Sequence, residues 1–253
     1  MPDKNTNTGN GSNLCLDEAW EQLESAGWLA ELDTAKRRLL RPIARLRACG
    51  EAEYLYLPGD ESDGVYGLVE GALDILVPRL DGEEQLVHRA EPGFWIGDLA
   101  LFARQRRLVG VRASSPCRLI YLPQDQLRLV IRQEPGLIGD FYMLTHGNMA
   151  TALRVIGMLS VSGAENRVAL RLLMQRDAPQ ANDDWIRLSQ DCLAELVALS
   201  QQSVRRALRS LERRGLVEIG YGKLRIVDRE ALAAFCNYAS VRDPSKPKHA
   251  SRH

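Results

Sequence analysis

The chain has 253 residues, 45% of them hydrophobic, and balances 33 Lys+Arg against 33 Asp+Glu, enough length for two ordinary domains with separate cores. No apolar run approaches the roughly 20 residues of a membrane span, and residues 1–13 lack the basic start and apolar stretch of a signal peptide, so a cytoplasmic protein is expected. The zero net charge is unevenly spread: 16 Lys+Arg against 11 Asp+Glu from Ala164 onward leave 17 against 22 before it, a basic half suited to nucleic acid beside an acidic one. The five cysteines (Cys15, Cys49, Cys117, Cys192, Cys236) are odd in number and scattered, and the four histidines are dispersed, so neither a disulfide framework nor a metal site is expected.

Residues 1–16 read as a disordered tail. Ala19 to Leu40 has helical texture, with Leu23, Trp28, Leu29, Leu32, Leu39 and Leu40 among charges. From Ala44 the texture changes to short β-like runs broken by Gly, Pro and Asp: 54–57, 65–69, 72–77 and, across the Asp81-Gly82 hairpin turn, 84–88. Leu108 to Ala113 and Arg118 to Leu122 continue the pattern. Strands this short with turns this frequent predict an antiparallel sandwich or jelly roll over residues 17–134.

Residues 135–162 predict one long helix. Leu137, Phe141, Leu144, Asn148, Thr151, Val155, Met158 and Ser162 alternate spacings of four and three, the seam of a two-stranded coiled coil. Phe141, Leu144, Asn148, Thr151, Val155 and Met158 are therefore the expected dimer contacts.

Residues 163–236 carry the most specific pattern. Ser189 can cap a helix over 190–197, and Ala198-Leu199-Ser200 makes a short turn. Ser200 can cap a second helix from Gln201 to about Arg214. In that helix Val204, Leu208 and Leu211 face inward, and Gly215 ends it. Residues 216–219 and 224–227 then read as two strands around Gly220-Tyr221-Gly222-Lys223. This is a helix-turn-helix with a β-hairpin wing. Its outward residues suit DNA: Gln can bond adenine, Arg can bond guanine, and further Arg contacts phosphates. The candidate contacts are Ser200, Gln201, Gln202, Ser203, Arg205, Arg206 and Arg209 on the second helix, with Lys223 on the wing. Residues 237–253 read as a flexible tail.

Further segments in the N-terminal half carry a family resemblance. Residues 58–63 (Pro-Gly-Asp-Glu-Ser-Asp), 68–71 (Leu-Val-Glu-Gly), Pro92-Gly93, 97–102 (Gly-Asp-Leu-Ala-Leu-Phe) and Val111-Arg112-Ala113 resemble the cyclic-nucleotide-binding fold in order and spacing. With the C-terminal motif, the chain resembles a regulator of the Crp/Fnr (cyclic AMP receptor protein / fumarate-nitrate reduction regulator) family over about Leu32 to Val227. The resemblance implies an α+β protein: a cyclic-nucleotide-binding-like β-sandwich, a long dimerisation helix and a C-terminal winged helix-turn-helix. In the nucleotide-binding relatives a Gly-Glu pair holds the ribose 2′-OH, and an Arg followed by Ser, Thr or Ala holds the cyclic phosphate with backbone amides. The matching positions are Gly97-Asp98, with Leu99 beside them, and Arg107-Leu108. Asp98 is one methylene shorter than Glu, and Leu108 lacks the hydroxyl. Residues 103–107 are one residue shorter than in those relatives, which leaves the choice of phosphate Arg open. On the long helix the base-contacting positions align with Ala152 and Leu153, with Thr151 adjacent. The effector is left unknown and cyclic AMP disfavoured. The iron–sulfur branch carries an N-terminal cysteine cluster, and Cys15 alone lies there, so no such cluster is expected.

The reading is a sequence-specific transcription regulator that binds double-stranded DNA as a homodimer. The resemblance adds RNA polymerase as a partner. An alternative keeps the fold but makes the pocket a haem site for a diatomic gas. An enzyme with a regulatory nucleotide module is the third reading, but G-x-S-x-G, P-loop and H-E-x-x-H patterns are all missing from the sequence.

Overall fold

The structure, a computed structural model, describes residues 14–175 and 185–237. The tails expected over 1–13 and 238–253 lie outside the described residues. The chain divides into two compact units, residues 1–73 with 90–142, and residues 74–89 with 143–253. This division differs from a simple cut in chain order.

The helical texture of residues 19–40 resolves into three pieces: α1 (Leu16–Ser25), α2 (Trp28–Glu31) and α3 (Thr34–Leu40). Ordered helix thus begins at Leu16, inside the expected tail. Gly27 separates the first two pieces at φ +80°, and a Cβ there would come within 2.0 Å of the Gly93 carbonyl oxygen. Asp33 restarts the chain as an N-cap, accepting from the Lys36 amide at 2.8 Å. A 3₁₀ turn at Arg41–Ile43 leads into the strands.

The strands are β1 (Arg45–Cys49), β2 (Tyr54–Tyr56), β3 (Gly64–Glu70), β4 (Leu73–Pro78), β5 (Glu84–Ala90), β6 (Trp95–Ile96), β7 (Gly110–Ala113) and β8 (Cys117–Pro123). One sheet runs β1-β8-β3-β6 and the other β2-β7-β4-β5. The pairs in the first sheet are antiparallel, with Tyr66 opposite Tyr121 and Leu46 opposite Ile120. This is the β-sandwich that the strand pattern predicts. Six of the seven residues of β3 are buried, as a strand covered on both faces requires. Two helices interrupt and follow the later strands without a sequence pattern that predicts them: α4 (Asp98–Ala103) and α5 (Gln124–Gln133).

The long helix α6 spans Leu137–Leu159. Its first turn is held within the first unit. Trp28 packs on Phe141 and Trp95 with ring centroids 4.6 and 5.2 Å away, and its indole N–H donates to the Asp140 carbonyl at 2.8 Å. The Asp140 carboxylate pairs with Lys36 at 2.7 Å and raises that ammonium's pKa.

In the second unit, α7 (Ala164–Leu173), α8 (Gln190–Leu196), α9 (Gln201–Arg213) and α10 (Arg229–Phe235) surround a small apolar core. Val168, Leu172, Leu193, Val204, Leu208, Leu211 and Leu232 are wholly buried there. A three-stranded sheet joins β10 (Val217–Gly220), β11 (Lys223–Ile226) and β9 (Trp185–Ile186) in the order β10-β11-β9. Residues 74–89 belong to this unit. Their Arg89–Asp74 pair is bidentate at 2.7 and 3.1 Å, and the Gln85 amide donates to the Glu195 carbonyl of α8 at 2.8 Å. Among the described residues no helix is long and apolar enough to cross a membrane.

Candidate nucleic-acid interface and effector site

The helix-turn-helix forms at the expected residues because its boundaries are fixed by local chemistry. Ser189 caps α8 by accepting from the Cys192 amide at 3.1 Å, and Ser200 caps α9 by accepting from the Ser203 amide at 3.2 Å. Leu199 donates its amide to the Ala194 carbonyl at 3.0 Å across the turn. Past the end of α9, the Leu216 amide bonds the Leu211 carbonyl and the Gly215 amide bonds that of Glu212, the paired bonds of a Schellman stop. The two-residue wing turn is Tyr221-Gly222, one residue tighter on each side than the sequence pattern implied.

Burial sorts α9 into two faces. Val204, Ala207, Leu208 and Leu211 are buried, whereas Gln201, Gln202, Arg205, Arg206 and Arg209 are exposed and Ser203 is half-buried. Among the described residues none of the three arginines is in an ion pair. Two open clefts flank the helix. One is lined by Arg205, Arg209, the start of α8 and the wing residues 219–224. The other, about 1100 Å³, is lined by Arg206, Arg209, Arg213 and Arg214, by Gly163 to Asn166 at the start of α7, and by Glu165 and Glu212. The sequence reading did not single out Arg213, Arg214 or the start of α7. The basic pair after Glu212 was the available signal, and the proximity of α7 is tertiary. Lys223 lies over the Trp185 ring at 4.5 Å with Arg225 at 5.3 Å, so the wing cations share an aromatic support. Tyr221 stands fully exposed at the wing tip. Cys192 is packed into the core, and burial pushes its thiol up to about 11, so it stays protonated near neutral pH.

The candidate effector residues are arranged differently from a ready anion site. Gly97 precedes α4 at φ +111°, and a Cβ there would lie 2.6 Å from the Gly64 carbonyl oxygen and 2.8 Å from Arg107 Nη1. Asp98 is buried, while Leu99 is 42% and Leu108 65% exposed. Arg107 is buried, and its guanidinium is already engaged. Nη2 donates to Asp63 Oδ1 at 2.7 Å and to the Gly64 carbonyl at 2.9 Å. Nη1 donates to the Gly97 carbonyl at 3.0 Å, and the Tyr56 ring lies 4.2 Å below. Burial pushes the Tyr56 hydroxyl well above its usual range. The Asp63 carboxylate also accepts from the Tyr66 hydroxyl, which itself accepts from Arg47 at 2.8 Å, and Tyr121 donates to the Asp63 carbonyl at 2.8 Å. Arg106 is exposed, donating to the Gly59 carbonyl at 2.8 Å. Thr151 turns inward on its own helix: its hydroxyl donates to the Gly147 carbonyl and accepts from Arg154, both at 3.1 Å.

The expected dimer contacts also sit differently. Phe141, Leu144, Val155 and Met158 are buried against their own chain, and Asn148 and Thr151 are half-buried. The exposed apolar residues of α6 lie on another face: Ile138, Tyr142, Met143, Met149, Leu153 and Ile156, each between 50% and 68% exposed. The 4-3 pattern in residues 137–162 therefore marks the helix side that covers its own core.

A β-sandwich with a winged helix-turn-helix defines a class, the DNA-binding transcription regulators with a cyclic-nucleotide-binding-type domain. Residues 46–134 match the family of cyclic nucleotide-binding domains and residues 166–235 match the Crp-like helix-turn-helix domains. The chain belongs to the Crp/Fnr family of transcription regulators. It is 27% identical over 198 residues to the cAMP-activated global transcriptional regulator Vfr of Pseudomonas aeruginosa, covering 75% of this chain and 92% of Vfr. It is 25% identical over 229 residues to the nitrogen fixation regulation protein FixK of Bradyrhizobium diazoefficiens, covering 87% of this chain and 94% of FixK. In fold it is similar to FixK2 from Bradyrhizobium japonicum, with a TM-score of 0.68 at 21% identity over 76% of this chain and 96% of that one.

The turn of the motif contains one avoidable strain. Ala198 sits at φ +49°, the left-handed region that costs an L-residue roughly 1–2 kcal/mol. Glycine removes that cost but adds freedom to the unfolded chain, worth about 0.5–1 kcal/mol. Ala198→Gly is therefore expected to stabilise the protein by up to about 1 kcal/mol in denaturant unfolding. A loss of stability would show that the Ala198 methyl packs more than it strains.

Proposed function

We propose that the protein is a homodimer that binds a two-fold symmetric promoter site through α9 and the wing. The observation that carries this reading is the exposed face of α9, where Gln201, Gln202, Arg205, Arg206 and Arg209 are unengaged while the opposite face is buried. Gln and Arg are the side chains that read adenine and guanine edges bidentately, and Ser203 and Lys223 are the candidate phosphate contacts, while the Ser200 hydroxyl is spent on Ser203 as the cap. Arg213 and the first turn of α7, whose amides have no partner within the helix, line the cleft beside α9 and add candidate phosphate donors.

The dimer contact in this reading is the exposed face of α6. Tyr142, His146, Met149, Leu153, Ile156 and Ser160 follow spacings of four, three, four, three and four. The row is about 27 Å long at 1.5 Å per residue. The positions flanking it, Met143, Thr145, Ala150, Ala152, Gly157 and Leu159, carry no charge. A neutral apolar row of this kind complements a copy of itself, the self-matching patch of a two-fold interface. Two recognition helices so joined would address half-sites roughly 34–36 Å apart.

The effector side of the reading disfavours cyclic AMP as a micromolar ligand. Arg107 already has a carboxylate partner in Asp63, and Leu108 offers no hydroxyl. A cyclic phosphate would have to displace an internal anion before gaining its own bonds.

Three expected outcomes test the reading. Arg206→Ala should weaken binding to the specific site by about 1–3 kcal/mol and relax discrimination at one symmetric base pair. Uniform weakening on every sequence would make Arg206 a phosphate contact instead. Leu153→Asp with Ile156→Asp should give monomers in sedimentation with greatly reduced operator binding, and an unchanged dimer would remove this face from the interface. Micromolar cyclic AMP should leave both the melting temperature and operator affinity unchanged. Micromolar affinity that Arg107→Ala abolishes would show that Asp63 yields its place.

A further inference from the structure

The exposed row on α6 contains one residue that does not belong in an apolar seam. Its large members, Tyr142, Met149, Leu153 and Ile156, are between 51% and 68% exposed, and His146 stands among them, also exposed. In the 4-3 register His146 shares the heptad position of Leu153 and Ser160. Between two parallel copies that position faces its own counterpart across the two-fold axis.

Very little charge surrounds it. Besides His146, the 23 residues of α6 contain only Asp140 and Arg154 from among Asp, Glu, Lys, Arg and His. Asp140 is committed to Lys36, and Arg154 donates to Thr151. They lie six and eight residues away along the helix. His146 is exposed on its own chain, so the groups facing it are those of its helix and of the second copy. On its own helix the positions three and four residues away are Tyr142, Met143, Met149 and Ala150, none of them a carboxylate, and in the proposed dimer the second copy presents the same row. A neutral imidazole can sit in such a seam with a hydrogen bond to its twin or to water. Two imidazolium ions in the same layer would repel each other with no anion to compensate and with less water than either has in the monomer.

We propose that His146 makes pairing of two copies through α6 proton-sensitive, so that dimer and operator binding are favoured above the ordinary histidine range and lost as each copy takes up one proton below it. The inference rests on the α6 dimer described above. Its sign follows from which state holds the proton better: the monomer leaves the imidazole in water, the dimer buries it beside a like group. The dimer therefore binds protons less well than two monomers, and acid favours the monomers.

The test is sedimentation equilibrium of the full chain at about pH 8 and about pH 5.5, values that bracket the ordinary histidine pKa near 6.5. The wild type is compared with His146→Leu, and folding at both pH values is monitored by circular dichroism. The expected result is a wild-type dimer whose Kd rises at least about tenfold at the lower pH, and a His146→Leu dimer that is tighter and changes far less. His146→Lys, charged at both values, should be weak at both. A wild type that is monomeric at about pH 8 overturns the α6 dimer itself, and this inference with it. A wild-type dimer with the same Kd at both pH values, or a His146→Leu dimer with an equal acid response, overturns the proton switch and leaves the α6 dimer standing. Operator binding by anisotropy at the same two pH values should follow the sedimentation in both proteins.

Discussion

A helix of 23 residues with only two side chains from Asp, Glu, Lys and Arg has more apolar surface than one chain covers, and that excess organises much of what this protein can do. One side of α6 is spent on its own chain, where Leu137, Phe141, Leu144, Val155 and Met158 are buried. The other side leaves Tyr142, Met149, Leu153 and Ile156 more than half exposed in one row. Single exposed apolar residues are ordinary on a folded protein, but a continuous row is not. In the proposed dimer a second copy would resolve the conflict and at the same time supply the two-fold symmetry that a short recognition helix needs. One helix of this kind contacts only a few base pairs, so a doubled site is the usual source of specificity in such readers.

The same economy appears at Arg107. A buried guanidinium must be neutralised, and a nucleotide-type pocket can do so with a bound phosphate or with a carboxylate of its own. This chain uses Asp63, which is held in turn by Tyr66 while Tyr121 fixes its backbone. An anionic effector acts on a protein only through the difference in its affinity for two states. Where the resting state already gives the arginine a carboxylate partner, that difference is reduced by whatever the Asp63 contact contributes. The altered residues Asp98 and Leu108 point the same way. They are losses that an arginine with an internal partner can tolerate.

What the sequence made legible follows the range of the interactions involved. The helix-turn-helix was readable because caps, periodicity and the glycine stop act within a few residues: Ser189 on Cys192, Ser200 on Ser203, Gly215 on Glu212. The strand pattern of the sandwich was readable for the same reason. The face of α6 was not, because residues 137–162 carry two interleaved 4-3 rows and only tertiary burial distinguishes them. Helix α7 lacks a stripe, since Val168 through Leu173 are all buried and no polar face repeats. Arg107 finds its carboxylate 44 residues earlier in the chain, a pairing that no local pattern encodes. Thr151 looked available to a ligand, but its hydroxyl is taken by its own helix.

The charges of α9 make the remaining argument. Several arginines elsewhere in the chain are matched internally: Arg107 with Asp63, Arg89 with Asp74, Arg225 with Glu218, Arg41 with Asp17. On α9, Arg205 and Arg209 are four residues apart, Arg206 and Arg209 three, and Arg209 and Arg213 four. Like charges at these spacings oppose helix formation by about 0.2–0.5 kcal/mol per pair. Folding gains nothing from such a row, and the apolar face of the helix would pack as well with neutral residues opposite it. In the proposed complex phosphate would reverse the sign, because cations that repel one another in the free protein each release a counterion from DNA when they bind it. The repulsion would then be present only while the face is empty, and part of the folding cost would be returned when the helix meets its site. An arrangement that opposes the fold and favours an external polyanion marks α9 as a surface shaped by what it binds.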